Sequence, residues 1–466
     1  MMHPDRLFPA DPESRVLARR LYDTVSGLPI ISPHGHTDPR WYAENQCFPD
    51  PATLFVIPDH YVFRMLYSQG VRLEDLGIPP RDGGPFETDP RRIWRRFAEN
   101  YHLFRGTPTR MWLDESFSTL FGLTERLGAD NADAAYDTIA EKLQSDAFRP
   151  RALFERFNIE AIATTESPLD DLRHHDAIAA SGWTGKVVTA YRPDPVVDPD
   201  FEGFAENLER FCEITGCDTD TWDGYLEAHR DRRAYFKQRG ATSSDHGHPT
   251  AQTCDLSPGE AEALFQRIRS GGYSDWEAET FRGQVLTEMA RMSLEDGLVL
   301  QIHPGSSRNH NKTLFERFGR DMGADMPTRT DYVAALKPLL DRFGNEADLT
   351  IILFTVDETV FSRELAPLAG HYPCLRIGPP WWFFDSPEGM RRFREAVTET
   401  AGFYNTVGFN DDTRAFASIP ARHDMARRVD CGYLADLVRS GRLDEDEAVE
   451  LAHDLAYGLA KRAYKL

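Results

Sequence analysis

Short runs of β-branched and apolar residues recur along the chain, each closed by glycine, proline or polar residues, and stretches with helical spacing separate most of them. Eight runs stand out. They are "LPIISPHGH" from Leu28, "IEAIATTE" from Ile159, "GKVVTAYRPD" from Gly185, "GATSSDHGH" from Gly240, "GLVLQIHPG" from Gly297, "DLTIILFT" from Asp348, "CLRIGPPWWF" from Cys374 and "YNTVGFNDD" from Tyr404. The fourth is the poorest in apolar residues. Helix signals are explicit in the gaps. Ser257 with Glu260 three residues later forms a capping box with Pro258 in the first turn, and the stretch opened by Ser386-Pro387 stops at Gly402. Strands alternating with helices predict a parallel sheet, and eight such units predict an α/β fold, a (β/α)8 barrel of the TIM type. An open doubly wound sheet is the alternative, but no glycine-rich phosphate turn accompanies it.

The first gap breaks the rhythm. About 120 residues separate the first run from the second, where a barrel needs one helix. The stretches "DPRRIWRRFAENYHLF", "TRMWLDESFSTLFGL" and "NADAAYDTIAEKLQ" read as helices, so the barrel is expected to be distorted by a helical insertion after strand one. The expected division is 1–71 for the N-terminal segment and first strand, 72–150 for the insertion and 151–466 for the rest of the barrel. Inserted at that end, the helices would sit over the mouth.

Composition narrows the function. The 466 residues, 41% of them hydrophobic, suffice for a large core and more than one domain-sized unit. No apolar run is long enough to span a bilayer, and the opening "MMHPDRLFPADPESR" lacks the apolar core of a signal peptide, so a cytoplasmic protein is expected. Six scattered cysteines without a C-x-x-C fit reduced thiols. The net charge of −22, with no Lys/Arg-rich block, argues against nucleic acid and anionic membrane as partners. An acidic small substrate would need locally placed arginines.

Catalytic groups in such barrels stand at the C-terminal ends of strands. His34 and His36 close the first run, and residues two apart on a strand face the same side. They can therefore share one divalent ion. Imidazole suits zinc, manganese or iron, a carboxylate completes the set, and zinc is the expected ion. The spacing alone is not diagnostic, because His246 and His248 repeat it in a chain with 15 histidines. The last run supplies the acid: Asp412 would reach the ion or act as a base beside it, since strands one and eight adjoin in a closed barrel. Arg414, two residues on, and Arg192 would clamp a substrate carboxylate. Other strand ends bring His303, Asp245-His246 and the Trp381-Trp382 pair. No G-x-S-x-G elbow, phosphate loop or H-E-x-x-H is present.

In combination these residues resemble a known family, the uronate (glucuronate) isomerases of the amidohydrolase superfamily. The likeness runs along nearly the whole chain, through "PHGH", "DHYVFRMLYSQGV" from Asp59, "TTESPLDDL" from Thr164, "AYRPD", "SSDHG", "LQIHPGSSRNHN", "GPPWWFFDSPEGM" and "NDDTRAFASIPARHD". The resemblance implies a distorted barrel with one divalent metal in its mouth, held by His34, His36 and Asp412. It also implies interconversion of aldo- and keto-hexuronates. His60, Tyr61, Arg192, His303, Trp382 and Arg414 are then substrate-contacting or catalytic, with Asp412 the favoured base and His60 and Tyr61 moving protons on the oxygens. The chain departs from the family's usual pattern at Asp357-Glu358-Thr359 and at His310, both expected near the mouth, where they would bear on substrate preference. A homo-oligomer is the expected assembly. Two other readings share the same residues: a metal-dependent hydrolase of a lactone or amide, and a non-catalytic sugar-acid binding barrel.

Overall fold

The computed structural model describes residues 2–466. Seven strands form one parallel sheet: β1 (Ile30–Ser32), β2 (Ile159–Glu166), β3 (Lys186–Tyr191), β4 (Ser243–His246), β5 (Val299–Ile302), β6 (Ile351–Leu353) and β7 (Leu375–Ile377), paired in chain order. The longest register runs from Ala161 opposite Lys186 to Glu166 opposite Tyr191. Most positions on these strands are buried and apolar, as in parallel strands covered on both faces, with polar residues such as Thr164, Glu166, Thr189 and Gln301 among them. β4 has no apolar residue at all, yet its Ser243, Ser244, Asp245 and His246 are all buried.

The eighth run differs from expectation. It forms no regular strand, and a single bridge joins Thr406 to Ile377. The physical reason lies in the chain that follows. Gly408 turns into the left-handed region at φ 77°, and a Cβ there would meet the Leu455 carbonyl at 2.9 Å. Beyond it Asp412 is also left-handed, at φ 39°. The segment still closes the ring, because the His36 amide donates to the Thr413 carbonyl at 3.0 Å. The fold is thus a distorted TIM-type barrel whose eighth member is irregular.

The long first gap is helical. After α1 (Pro12–Val25) and β1 come α2 (Pro39–Glu44), α3 (Pro51–Phe55), α4 (His60–Ser68), α5 (Pro90–Glu99), α6 (Pro108–Glu115) and α7 (Ala132–Leu143). Aspartate N-caps followed by proline start four of them: Asp11, Asp38, Asp50 and Asp89 each accept a backbone amide of the first turn. Trp94, Phe97, Tyr101, Phe104, Phe117 and Phe121 pack these helices into a core that is continuous with Ile30 of β1 and Ile159 and Ile162 of β2. The insertion is therefore anchored on the first two strands, and α4 carries its N-terminal residues into the barrel mouth. The capping box of Ser257 and Glu260 and the helix Pro387–Ala401 closed by Gly402 form as the sequence predicts. All six cysteines are free thiols.

Candidate active site

A cavity of about 460 Å³ opens at the C-terminal ends of the strands, and all nine site residues named from the sequence line it. His34 and His36 follow β1, and their rings lie 5.3 Å apart. Asp412 comes from the irregular eighth segment. Its Oδ1 stands 3.5 Å from His34 Nε2 and 3.2 Å from His36 Nε2. Two ligands on one ion with bonds of about 2.0–2.2 Å are roughly 3.0–3.5 Å apart, so the spacing fits a shared divalent cation. The left-handed backbone of Asp412, strained for a residue with a Cβ, delivers the carboxylate there. Burial opposes the charge on Asp412, but the two imidazoles outweigh it and hold the carboxyl well below its ordinary value. Burial likewise lowers His36, whereas in His34 it is overcome by Asp245 and Asp412.

Behind this corner lies a second buried group. Asp245, at the end of β4, has Oδ1 2.7 Å from His303 Nδ1 and Oδ2 2.8 Å from Arg192 Nη1, and Arg192 Nε donates to Asp194 at 2.8 Å. The His303 contact is close but its alignment is not that of a hydrogen bond. His303 stacks between His34 and Phe354, with centroids 4.7 and 3.9 Å away. Burial pushes His303 down to about 4 despite Asp245, so it is neutral near pH 7. Within 4.8 Å of one another, His34, Asp245 and His303 are a second set of metal-capable donors.

The opposite wall comes from α4, ahead of the expected 72–150 insertion, none of whose residues lines the cavity. Asp59 accepts from the Tyr61 amide at 2.9 Å and so fixes the start of α4, with His60 and Tyr61 in its first turn. His60 lies 4.4 Å from the Trp382 ring, and burial together with Arg414 pushes it down to about 3. Trp382 is left-handed at φ 56°, and its indole donates to the Asp325 carbonyl at 3.0 Å. Arg414 pairs with Asp321 at 3.0 Å and Arg308 with Asp325 at 3.0 Å. Both arginines expected to clamp a carboxylate, Arg192 and Arg414, are thus already bound to aspartates. Among the described residues Arg320 is the cavity arginine without a carboxylate partner, its guanidinium 4.2 Å from the Phe201 ring.

Sequence reasoning placed Asp245 at a strand end without giving it a role, and named neither Asp321 nor Asp385. Strand alternation could have separated Asp245 from His246, since only one of the two can face the barrel interior. The other two lie on loops, where no period applies. Neither departure from the family's usual pattern lines the cavity. Asp357 caps a short turn through the Thr359 amide at 3.0 Å, Glu358 pairs with Arg392 at 3.0 Å, and His310 is exposed.

Comparison with known proteins points one way. Residues 13–464 match the glucuronate isomerase family. A uronate isomerase of Mesorhizobium japonicum is 69% identical over 463 residues, covering 99% of each chain. One of Rhizobium meliloti is 67% identical over 466 residues, covering 100% of this chain and 99% of its own. The crystal structure of glucuronate isomerase from Caulobacter crescentus superposes with a TM-score of 0.98 at 62% identity, covering 100% of this chain and 97% of that one.

Proposed function

The chain belongs to the glucuronate isomerase family, and from that membership we infer that it is a uronate isomerase whose chemistry runs in the cavity described above. The reaction interconverts an aldo-hexuronate and its keto isomer, D-glucuronate with D-fructuronate and D-galacturonate with D-tagaturonate. One observation carries the assignment of the site: three metal-capable donors and several acid/base side chains converge on a single cavity at the strand ends.

Isomerisation moves a proton from C2 to C1 through an enediol, and needs a base together with stabilisation of the oxyanion that develops. His34, His36 and Asp412 would hold the divalent ion, which when bound supplies positive charge to the substrate oxygens. Asp412 is ionised at neutral pH and is the base of this reading. Tyr61 and the neutral His60 exchange protons with the substrate hydroxyls. Arg414 has a single nitrogen engaged, on Asp321, and adds positive charge for the substrate's carboxylate. Arg192, held on two sides, orients Asp245 and contributes its charge from there. Trp382 and His303 shape the walls.

Relatives 67–69% identical over the whole chain favour this chemistry over metal-dependent hydrolysis at the same donors. The direct test is incubation with D-glucuronate and D-galacturonate, with and without chelator, following ketose formation. Metal analysis and light scattering check two finer parts of the reading, zinc as the ion and a homo-oligomeric assembly. Among the described residues no helix is long and apolar enough to cross a membrane.

A further inference from the structure

Tyr61 lines the cavity, and its hydroxyl is engaged by two groups of the protein. The oxygen lies 2.8 Å from Asp385 Oδ2 and 2.8 Å from the Trp382 carbonyl. A phenol has one proton to give, and an ionised carboxylate is the stronger acceptor. Asp385 is buried, is not part of the cavity wall, and meets the reacting region through Tyr61. Its other neighbour is Arg422, whose Nη1 donates to the same Oδ2 at 3.0 Å. Asp385 Oδ1 is buried with no hydrogen-bond partner among the described residues. Arg422 itself is enclosed, its guanidinium 3.6 Å from the Trp112 ring and 5.1 Å from that of Tyr61.

This arrangement solves a problem for Tyr61. Burial and the Asp385 charge hold its hydroxyl far above neutrality, so a phenolate does not accumulate. Tyr61 can accept a proton only if it hands its own to another group at the same time. The group hydrogen-bonded to it is a carboxylate outside the reach of substrate, and therefore free to serve that purpose.

We propose that Asp385 is the proton store of this site, acting through Tyr61. A substrate hydroxyl passes its proton to the Tyr61 oxygen as the original Tyr61 proton moves to Asp385 Oδ2. Both transfers reverse when the proton returns to the neighbouring substrate oxygen. One O–H bond breaks and one forms at each step, no electrons change hands, and Asp385 ends as it began. The proposal rests on the isomerase reading and deepens it. Arg422 keeps Asp385 ionised between turnovers, and the unpartnered Oδ1 leaves the carboxyl uncommitted to any other donor. Burial pushes Asp385 up to about 6 against the pull of Arg422, close enough to neutrality for exchange in both directions. Two further charges act with it: Asp412, whose charge raises Asp385, and Arg64 of α4, which is attracted to Asp385.

The competing explanation is that Asp385 merely neutralises the buried Arg422. Ketose formation by the wild-type protein is measured first; its absence would reject the isomerase reading itself. Asp385→Asn should then lower kcat on the order of 10²-fold or more, with KM within about threefold. In a Tyr61→Phe background the same substitution should change kcat by less than about twofold, because the relay is already cut. A near wild-type kcat in Asp385→Asn, or a loss that multiplies that of Tyr61→Phe, would overturn the proposal. If Asp385→Asn does not fold, the wild-type single-turnover rate in H2O/D2O mixtures decides. A curved dependence reports two protons in flight and supports the relay; a linear one contradicts it.

Discussion

His34 and His36 at the end of β1 repeat in His246 and His248 at the end of β4, with the same spacing and nearly the same ring separation, 5.3 Å against 5.5 Å. What lies opposite them differs. The first pair faces the Asp412 carboxylate at 3.2 and 3.5 Å. The second has Asp194 nearby, but its Oδ1 accepts the Gly247 amide at 3.0 Å and its Oδ2 accepts Arg192 Nε at 2.8 Å. Among the described residues no nitrogen of His246 or His248 has a hydrogen-bond partner, and burial pushes His246 down to about 3, so it stays neutral. Among the described residues the second pair joins no metal-capable group. Two imidazoles on one strand end are therefore not a site until the barrel brings a free carboxylate across to them. Here a strained, irregular eighth segment does so.

The comparison breaks most sharply through the ligands. His36→Asn should remove bound divalent metal and lower uronate isomerisation by at least about 10²-fold, since weaker perturbations of metal sites already reach that range. Metal analysis beside ketose assays checks both. Asp412→Asn keeps an oxygen ligand and removes the base. It should lower kcat by about 10²–10⁴-fold while some metal is retained, and near wild-type turnover with metal bound would remove Asp412 from that role. Arg414→Lys replaces a planar fork with a point charge and should lower activity by roughly tenfold. Turnover of neutral hexoses alongside uronates would contradict any carboxylate clamp.

The smaller effects sharpen the contrast. His248→Gln should leave metal content unchanged, because among the described residues the β4 pair joins no metal-capable group; a drop in stoichiometry would contradict the difference between the two pairs. The smallest concerns Glu166 at the end of β2, pushed up to about 8 by burial despite hydrogen bonds from Thr189 and Thr164. Its folded-state value lies above the unfolded one, near 4.5. The stability it contributes is thus complete below pH 4.5 and is lost as pH rises through about 8. Thermal melts across that window should show a decline that Glu166→Gln flattens.

Much of this was legible in the sequence because it is periodic. The apolar runs marked seven strands, and the strand-end rule put His34, His36, His303 and Arg192 at one mouth before any geometry was known. β4 was hard to read because its buried residues are polar, serving the interior of the mouth instead of a core, so hydrophobic periodicity does not register them. The eighth run read as a strand, but Gly408 and Asp412 bend it out of the ladder while leaving its last carboxylate where a strand end would have put it. Asp321 and Asp385 escaped notice for a different reason. They sit on loops, and their partners, Arg414 and the Tyr61–Arg422 pair, lie elsewhere in the sequence.

Metal stoichiometry tests the central claim most directly. Purified protein should bind one divalent ion per chain and lose isomerase activity when the ion is chelated, recovering it on readdition. His36→Asn should bind none under the same conditions, and His248→Gln should still bind one. A wild-type protein that isomerises uronates without an ion, or a His36→Asn variant that keeps full stoichiometry, would contradict the account.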